Sequence, residues 1–488
     1  MSSDGEPTTV PELLAGCHTR WGDRAAFAGP GGELSFAELG SAAGRTAAWM
    51  IAAGANAGDR IVLALATGPD SRVLEWGILE YGFVRVAVSA RLHPREIAAI
   101  ALDCAATLVF CGSTAVDAVL DALLEAGSTA KVIDPRLMVL PPEEAPHPNV
   151  QPGDLAMIIY SSGSSGTPKG ATVTNRAWLA QSRRAMSQLP ELDERDLVLA
   201  VAQLPHFGGS IALNCATSGA TTLFLERFDA AGVADLIDAN GVTVVPLATT
   251  MLERLAEELL ARGSRLASLR AVPYGGSAIP ARFLHRAVTA MPGVLVQFYG
   301  LAEALAPLSA LTAGDHEDQR ALASAGRWLP GTDYELRDDG LAVRGEVVMP
   351  GYVDGTGVDA DGWFATGDRA TFADGFLYLE GRIGDSIATG GFTVEPREVE
   401  TAIAGIPEIA DVAVIGLPNP LWGEGVTAVI QLRDPAAPVS LEQLQAACRA
   451  QLAGYKKPVA MYVVPQMPHT IAGKPDRARL RREFGPTP

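Results

Sequence analysis

The sequence predicts an α/β protein: a large N-terminal domain of helix-covered, mainly parallel sheets with a β-rich subdomain, then a small, mobile α+β C-terminal domain. From about residue 10 to residue 380, short apolar runs alternate with amphipathic helical patterns. Between about 325 and 380 these patterns give way to short, Gly-rich, β-like segments. The length of 488 residues also exceeds one ordinary core, so two or more domains are expected.

The alternation is clearest in the first half of the chain. Arg60–Leu65 and Thr107–Phe110 have the continuous apolar character of buried strands, with a helical pattern at Pro94–Leu102, and Val242–Leu247 repeats the strand pattern. Leu197–Leu225 carries no Asp, Glu, Lys or Arg, which superficially suggests a membrane span. Prolines and glycines interrupt it, so we predict a buried strand, loop and helix there.

A second pattern follows the large domain. Glu395–Glu400 opens a helix, Val412–Gly416 is typical of a strand, and Leu441–Leu452 is typical of a helix. The boundary before this pattern is short and polar, as expected of a hinge. We therefore predict an N-terminal domain at 1–384 and a mobile C-terminal domain at 385–488.

Composition excludes several classes of protein. The 38 basic and 56 acidic residues give a formal charge of −18, which disfavours nucleic acid as a partner. The five cysteines show no metal-binding spacing and are expected to be reduced, structural thiols. The first residues lack a basic-then-apolar signal pattern. A cytoplasmic protein without a membrane span is expected, and the sequence leaves a homodimer open.

The most informative segment is Tyr160–Gly170, which follows the apolar run Leu155–Ile159. Its serines, glycines, threonine and Lys169 form a loop whose backbone N–H groups and side chains are able to surround phosphate oxygens. A flexible surface loop is the ordinary alternative. The Walker loop is excluded, because that motif needs Gly-Lys-Ser/Thr at a helix start, whereas Pro168 precedes this lysine and Gly170 follows it.

Four further segments carry polar residues suited to nucleotide chemistry. Taken singly, each is ordinary: a carboxylate after a turn, a Gly-Gly pair, an exposed Asp or Arg, or a solvated terminal lysine. The segments are Tyr274–Ala278, Val296–Glu303, Gly362–Asp385 and Pro468–Lys474. A single carboxylate beside a triphosphate is suited to Mg²⁺, which shares its coordination with phosphates.

In order and content, these segments together with the Ser/Gly/Thr loop resemble the motifs of adenylate-forming enzymes. This superfamily contains acyl-CoA synthetases, peptide-synthetase adenylation domains and luciferases. The resemblance covers nearly the whole chain and is greatest to acyl- or aryl-CoA ligases. It implies an ATP/AMP site whose residues are Ser161, Ser162, Gly163, Ser164, Ser165, Gly166, Thr167, Lys169, Gly275, Gly276, Ser277, Gln297, Phe298, Tyr299, Gly300, Leu301, Ala302, Asp368, Arg382 and Lys474.

The resemblance also implies roles within that site. Lys169 is expected to hold the departing pyrophosphate, and Glu303 is expected to bind Mg²⁺ and act in catalysis. Asp368 is expected to bind the ribose, with Arg382 reaching phosphate or ribose oxygens. Lys474 is expected to stabilise the negative charge that develops during adenylation.

One departure from the family pattern stands in the Mg²⁺-binding segment. The family's Tyr-Gly-x-Thr-Glu has Ala302 in place of its threonine here. In relatives that hydroxyl contacts the phosphate or the acyl-adenylate. Without this hydroxyl, weaker binding of the adenylate and an unusual reaction both remain open.

The acid pocket implied by the resemblance consists of His206, Phe207, Gly208, Tyr274, Gly275, Gly300 and Leu301. His206 is expected to gate the carboxylate and admit the second nucleophile, although a core histidine is an equal alternative. The lack of side-chain volume at Gly208 and Gly209 suggests room for a ring or bulky acyl group.

The C-terminal domain is expected to contribute three more residues. Asp385 matches the family's hinge residue, Trp422 matches an aromatic near the CoA tunnel, and Lys456 is positioned in sequence to meet CoA phosphates. For Trp422 the ordinary alternative is a loop tryptophan packed on the domain surface.

The implied activity is ATP-dependent formation of an acyl-AMP from a carboxylic acid, followed by transfer to the CoA thiol; ATP, Mg²⁺ and CoA are the expected cofactors. Because 14 residues follow Lys474, the alternative is a stand-alone adenylating enzyme acting on a carrier protein or an amine. Activation of an oxyacid such as nitrite also stays open. So does an inactive nucleotide sensor, although the presence of Lys169, Glu303, Asp368 and Lys474 argues against it.

Overall fold

The computed structural model describes residues 5–29, 32–162, 168–201, 205, 207–276, 279, 281–337, 340–382, 386–468 and 475–485. The helices in this part are α1 (Val10–Trp21), α2 (Phe36–Ala52), α3 (Pro69–Glu80), α4 (Pro94–Asp103), α5 (Val116–Glu125), α6 (Asn175–Ser187), α7 (Phe207–Ala216), α8 (Ala230–Asn240), α9 (Thr249–Arg262), α10 (Ala281–Ala290), α11 (Pro396–Ala404), α12 (Leu441–Arg449) and α13 (Arg477–Phe484).

The strands of the N-terminal domain come first in the chain. They are β1 (Ala25–Gly29), β2 (Gly32–Ser35), β3 (Arg60–Ala64), β4 (Val84–Ala87), β5 (Leu108–Cys111), β6 (Lys131–Ile133), β7 (Leu155–Ser162), β8 (Pro168–Thr174), β9 (Leu197–Ala200), β10 (Thr221–Phe224), β11 (Leu247–Ala248), β12 (Val272–Gly275), β13 (Leu295–Tyr299), β14 (Ser309–Leu311), β15 (Arg327–Trp328), β16 (Thr332–Arg337), β17 (Gly340–Gly345), β18 (Phe364–Ala373) and β19 (Phe376–Arg382). The C-terminal strands are β20 (Ile387–Thr389), β21 (Phe392–Val394), β22 (Ile409–Asn419), β23 (Gly423–Leu432) and β24 (Ala460–Val464).

The first sheet has the strand order β6-β5-β3-β4-β7-β8 and is parallel except for the antiparallel pair β7 and β8. On β3, Ile61 and Leu63 face one hydrophobic cluster and Val62 and Ala64 face another. Burial on both faces explains why this strand is apolar without interruption. The fold class predicted from such runs is confirmed.

Two further sheets have the orders β2-β1-β10-β9 and β11-β12-β13-β14-β15. Val244 forms parallel bridges to both Val198 and Ala271 and so joins them. The predicted strand at Val242–Leu247 is reduced to this bridge and the short β11, since Pro246 has no N–H to donate to a ladder. The charge-free segment from 197 to 225 forms β9, α7 and β10, as predicted.

The β-rich subdomain is an antiparallel sheet in the order β16-β17-β18-β19. The C-terminal domain contains the long hairpin of β22 and β23, and β20 and β24 both pair with β23, at Gly423 and at Thr427–Gln431 respectively. Its two hydrophobic clusters consist only of residues from Ile387 onward. The boundary at 384/385 stays a prediction, because residues 383–385 lie outside the described residues.

All five cysteines are buried and unpaired in disulfides. Burial raises the pKa of the Cys17 and Cys215 thiols to about 12 and that of Cys104, Cys111 and Cys448 to about 11. These thiols are therefore protonated at neutral pH, as expected of structural cysteines. Among the described helices, none is both long and apolar enough to cross a bilayer.

The two domains meet at Lys456. Its Nζ lies 2.6 Å from Glu96 Oε1 of the N-terminal domain and 2.8 Å from Glu398 Oε2 of its own domain. All three side chains are buried. Burial alone would lower the pKa of Lys456, but the two carboxylates raise it above its ordinary value. The expectation that Lys456 meets CoA phosphates is wrong for this domain arrangement, because two acidic partners enclose its ammonium.

We predict that Lys456→Met lowers the free energy of unfolding by about 3 kcal/mol or more, because it leaves two buried carboxylates without their cation. Urea unfolding followed by circular dichroism measures this loss. The half-buried neighbour Lys457 provides the matched control, Lys457→Met, for which a much smaller change is expected. Equal losses in the two variants would contradict this role of Lys456.

Candidate active site

The predicted phosphate loop connects the adjacent ends of two paired strands. Ser162 of β7 pairs with Pro168 of β8, and Ser161 pairs with Lys169. Residues 163–167 and the side chains of Ser161 and Ser162 lie outside the described residues. The paired strands bring both ends of the loop to one edge of the sheet.

Tyr352 brings Lys169 and Glu303 to one place. The Lys169 Nζ lies 5.0 Å from the centroid of the Tyr352 ring, within cation–π range. The Tyr352 hydroxyl donates a hydrogen bond of 3.0 Å to Glu303 Oε1. The two residues predicted to serve the triphosphate therefore contact the same tyrosine, one over its ring and one at its hydroxyl.

Sequence reasoning missed Tyr352. Its chain segment extends the sheet beside β8: the Val353 N–H donates to the Gly170 carbonyl at 2.9 Å, and the Thr172 hydroxyl donates to the Gly351 carbonyl at 2.6 Å. The available signal was a single aromatic residue within a Gly-rich stretch from 350 to 357.

Glu303 is suited to the expected Mg²⁺. The residue is 9% exposed, and its backbone is held by the Met349 N–H, which donates to the Glu303 carbonyl at 2.9 Å. Mg²⁺ is usually bound by one or two protein carboxylates together with phosphate oxygens of the substrate, and here one carboxylate lies close to the lysine expected to bind phosphate. The donor set therefore fits a metal bound together with a nucleotide.

The predicted ribose site contains a second tyrosine–carboxylate pair. The Tyr299 hydroxyl at the end of β13 donates to Asp368 Oδ2 of β18 at 2.6 Å, and both residues are buried. The Asp368 N–H donates to the Thr366 hydroxyl at 3.0 Å. Arg382 pairs with Asp368 across β18 and β19, but its side chain lies outside the described residues.

The predicted acid pocket has aromatic walls at the start of α7. The Phe207 and Phe298 rings meet edge to face with centroids 5.9 Å apart. A Cβ atom at Gly275 would lie 2.6 Å from the Phe298 carbonyl oxygen and 3.6 Å from the Phe207 ring. Only glycine fits there. Arg72 also donates to the carbonyl of buried Gly209 at 2.7 Å and so anchors the first turn of α7, a contact that no sequence signal indicates.

Gly300 and the residues after it form the turn between the predicted acid pocket and Glu303. A Cβ at Gly300 would lie 2.5 Å from the Ala306 Cα, so this position also requires glycine. The Leu301 N–H donates to the Ala304 carbonyl at 2.8 Å, which closes the turn that presents Glu303. The side chains of Leu301 and Ala302 pack against the main hydrophobic core.

Tyr274 does not line the pocket with its side chain, in contrast to the prediction. Neighbouring residues of a strand face opposite sides of the sheet, so Gly275 faces Phe207 while Tyr274 enters the core between α8, α9 and α10. The Tyr274 hydroxyl lies 2.8 Å from His316 Nε2 and 3.1 Å from the Gln297 amide oxygen. Gln297 is thereby also directed away from Phe298.

Trp422 lies near the junction of the domains. The residue is 43% exposed, and its ring packs on Gly390, where an added Cβ would lie 2.7 Å from the ring. A Cβ at the adjacent Gly391 would lie 3.5 Å from Ala248, which pairs with Gly275 of the acid pocket. The tip of the β20–β21 hairpin therefore connects Trp422 to the strand edge beside the pocket.

Gly276, with φ of +96°, follows the pocket strand in a conformation that favours glycine.

Several predicted residues have no described position. His206, Ser277, Asp385 and Lys474 lie outside the described residues, so their roles stay predictions.

Comparison with known proteins gives matches over most of the chain. The sequence model of the family described as AMP-binding enzyme matches residues 16–353, and that of the AMP-binding enzyme C-terminal domain matches residues 398–474. Feruloyl-CoA synthase from an Amycolatopsis species is 31% identical over 93% of this chain and 95% of that protein. Medium/long-chain-fatty-acid–CoA ligase FadD8 of Mycobacterium tuberculosis is 33% identical over 69% of this chain, and this match spans 62% of that protein.

Among solved structures, the amide bond synthetase McbA from Marinactinospora thermotolerans superposes with a TM-score of 0.88 at 27% identity. The superposition covers 98% of this chain and 100% of that chain. The fold of both domains is therefore shared along the whole length.

The buried His316 gives a prediction for stability against pH. Burial lowers the pKa of His316 below its ordinary value of 6.5, and its Nδ1–H donates to the Thr312 carbonyl, which leaves Nε2 facing Tyr274. The unfolded chain therefore binds a proton at His316 more readily than the folded chain does. The free energy of unfolding is highest above pH 6.5 and decreases as the pH falls below 6.5, by up to about 1.4 kcal/mol per pH unit.

We predict that His316→Gln is less sensitive than the wild type to a fall from pH 7 to pH 5 in urea unfolding. Tyr274→Phe retains the histidine and is the matched control, expected to be less stable yet to keep the pH sensitivity. An unchanged pH dependence in His316→Gln would contradict the assignment.

Proposed function

Because the chain belongs to the AMP-binding enzyme family, we propose that it activates a carboxylic acid as acyl-AMP and transfers the acyl group to the thiol of CoA. The chain is an AMP-forming ligase of the adenylate-forming superfamily. The observation that carries the proposal is the contact of Lys169 and Glu303 with one tyrosine beside the ends of the phosphate loop. This arrangement places a cation and a metal-binding carboxylate together, where the triphosphate of ATP is expected to bind.

In the proposed first step, the substrate carboxylate attacks the α-phosphorus of ATP and pyrophosphate leaves. Lys169 neutralises the departing pyrophosphate, and Lys474 neutralises charge at the α-phosphate. Asp368, oriented by the Tyr299 hydroxyl, accepts the ribose hydroxyls. Mg²⁺, when bound by Glu303, offsets charge on the phosphate oxygens. In the second step, the CoA sulfur attacks the acyl carbon and AMP leaves.

The acid is proposed to be aromatic or similarly bulky. Phe207 and Phe298 form an aromatic edge-to-face pair, and glycine at position 275 lets the backbone of β12 lie directly against it. Planar rings pack favourably against such edges and faces. The feruloyl-CoA synthase relative supports this class of acid.

CoA is the first choice of acceptor because the chain is similar to a feruloyl-CoA synthase and to a fatty-acid–CoA ligase. The exposed Trp422, next to the hairpin that reaches the pocket edge, is proposed to contact it. The amide bond synthetase supports a second candidate, in which an amine attacks the same acyl-AMP and yields an amide.

Pyrophosphate release from Mg·ATP tests the proposal across a panel of aryl and aliphatic acids, each with and without CoA. We predict release with an aromatic acid, faster turnover with CoA, and a thioester product. Lys474→Ala is the matched inactive control. Turnover that CoA leaves unchanged and an amine increases would establish the amide reaction instead, whereas no release with any acid would contradict the proposal.

A further inference from the structure

We propose that Tyr352 is a positioning residue at the triphosphate end of the site. It fixes the position of the Glu303 carboxylate relative to the Lys169 ammonium. This inference rests on the proposed function, because both partners are assigned to Mg·ATP. It concerns a residue outside the Ser/Gly/Thr loop and outside the motifs that predicted the site.

The hydroxyl of Tyr352 orients the carboxylate. Glu303 is buried, and burying a carboxylate costs free energy unless hydrogen-bond donors face it. The 3.0 Å bond from Tyr352 to Oε1 supplies one and restricts rotation of the carboxylate about its last bond. A cation bound at Glu303 would then meet an oxygen whose direction is set before the nucleotide arrives.

The ring of Tyr352 supports the ammonium of Lys169. The ring has little freedom, because a Cβ at Gly357 would lie 2.7 Å from its carbons and 2.6 Å from the Met349 methyl. Gly357 has φ of +107°, which a larger residue rarely adopts. The lysine therefore rests over a fixed aromatic face, as cation–π geometry requires.

The backbone of Tyr352 fixes both contacts to the phosphate loop. Tyr352 forms an antiparallel bridge with Ala171 of β8, two residues after Lys169, and its N–H donates to the Thr356 carbonyl at 2.8 Å. At the other end of this segment, Val348 bridges to Ala304, next to Glu303. The segment from 348 to 353 thus connects the loop exit and the Glu303 turn, and Tyr352 is its side-chain contact to both.

The test separates a positioning role from a purely structural one through metal dependence. The equilibrium Kd for ATP is measured by calorimetry with Mg²⁺ and with EDTA, without acid, and the ratio of the two constants is the metal effect. Tyr352→Phe keeps the ring and removes the hydroxyl. We expect its metal effect to fall by about 10-fold, the effect of one lost hydrogen bond to a charged group.

Four further variants make the result specific. Glu303→Gln is expected to lower the metal effect as well, and adding Tyr352→Phe to it is expected to cause no further loss. Tyr352→Leu, which also removes the ring, is expected to weaken pyrophosphate binding more than Tyr352→Phe does. Tyr378→Phe is the matched control, since that hydroxyl donates to the Arg320 carbonyl at 3.3 Å and neither residue belongs to the predicted site.

The outcomes distinguish the two proposals. A wild-type metal effect in Tyr352→Phe, or ATP binding weakened equally with Mg²⁺ and with EDTA, would overturn the role of Tyr352 alone. A wild-type protein that binds ATP without any metal effect would overturn the assignment of Glu303, and with it this inference. A wild-type protein that does not bind ATP would overturn the proposed function.

Discussion

The antiparallel pairing of β7 with β8 is the constraint on which the rest of the candidate site depends. These strands lie at the edge of an otherwise parallel sheet, and their pairing brings Ser162 and Pro168 together at the two ends of the phosphate loop. The segment around Tyr352 then adds to the outer side of β8 through backbone bonds to Gly170 and Thr172. Glu303, Tyr352 and Lys169 are thereby positioned by one continuous set of strand contacts. Rigid elements hold such groups more accurately than free loops do.

Close backbone approach is the second constraint. Gly275 and Gly300 each stand where a Cβ would overlap main-chain atoms, at Phe298 and Ala306 respectively. These approaches bring the acid pocket and the Glu303 turn within one small region at the ends of β12 and β13. The parallel pairing of β11, β12 and β13 places these strand ends at the same edge, as is usual for ligand sites in α/β proteins.

Much of this arrangement is predictable from the sequence, because the fold follows from local patterns and the site follows from short motifs. Lys169, Asp368 and Glu303 each stand in a recognisable segment, and the structure brings Lys169 and Glu303 to one tyrosine. Tyr274 was misplaced although strand alternation contains the answer: its neighbour Gly275 faces Phe207, so Tyr274 faces the other side.

Other features depend on contacts between distant parts of the chain. Lys456 bonds to Glu96, 360 positions away, and the Tyr352 segment joins β8 through a bond between Thr172 and Gly351, which are 179 positions apart. Neither contact can be predicted from the local sequence around its residues. From the sequence alone, the lysine and the tyrosine resemble ordinary surface residues; tertiary structure buries Lys456 and partly buries Tyr352.

Attack of the substrate carboxylate on the α-phosphorus of ATP transfers a carboxylate oxygen to AMP, and isotope labelling detects this transfer. The accepted acid is labelled with ¹⁸O in its carboxylate and turned over with Mg·ATP and the acceptor, and the nucleotide product is analysed by mass spectrometry. We expect AMP that carries one ¹⁸O atom, because the bridging oxygen of the acyl-AMP leaves with AMP. Unlabelled AMP, or ADP as the product, would contradict it.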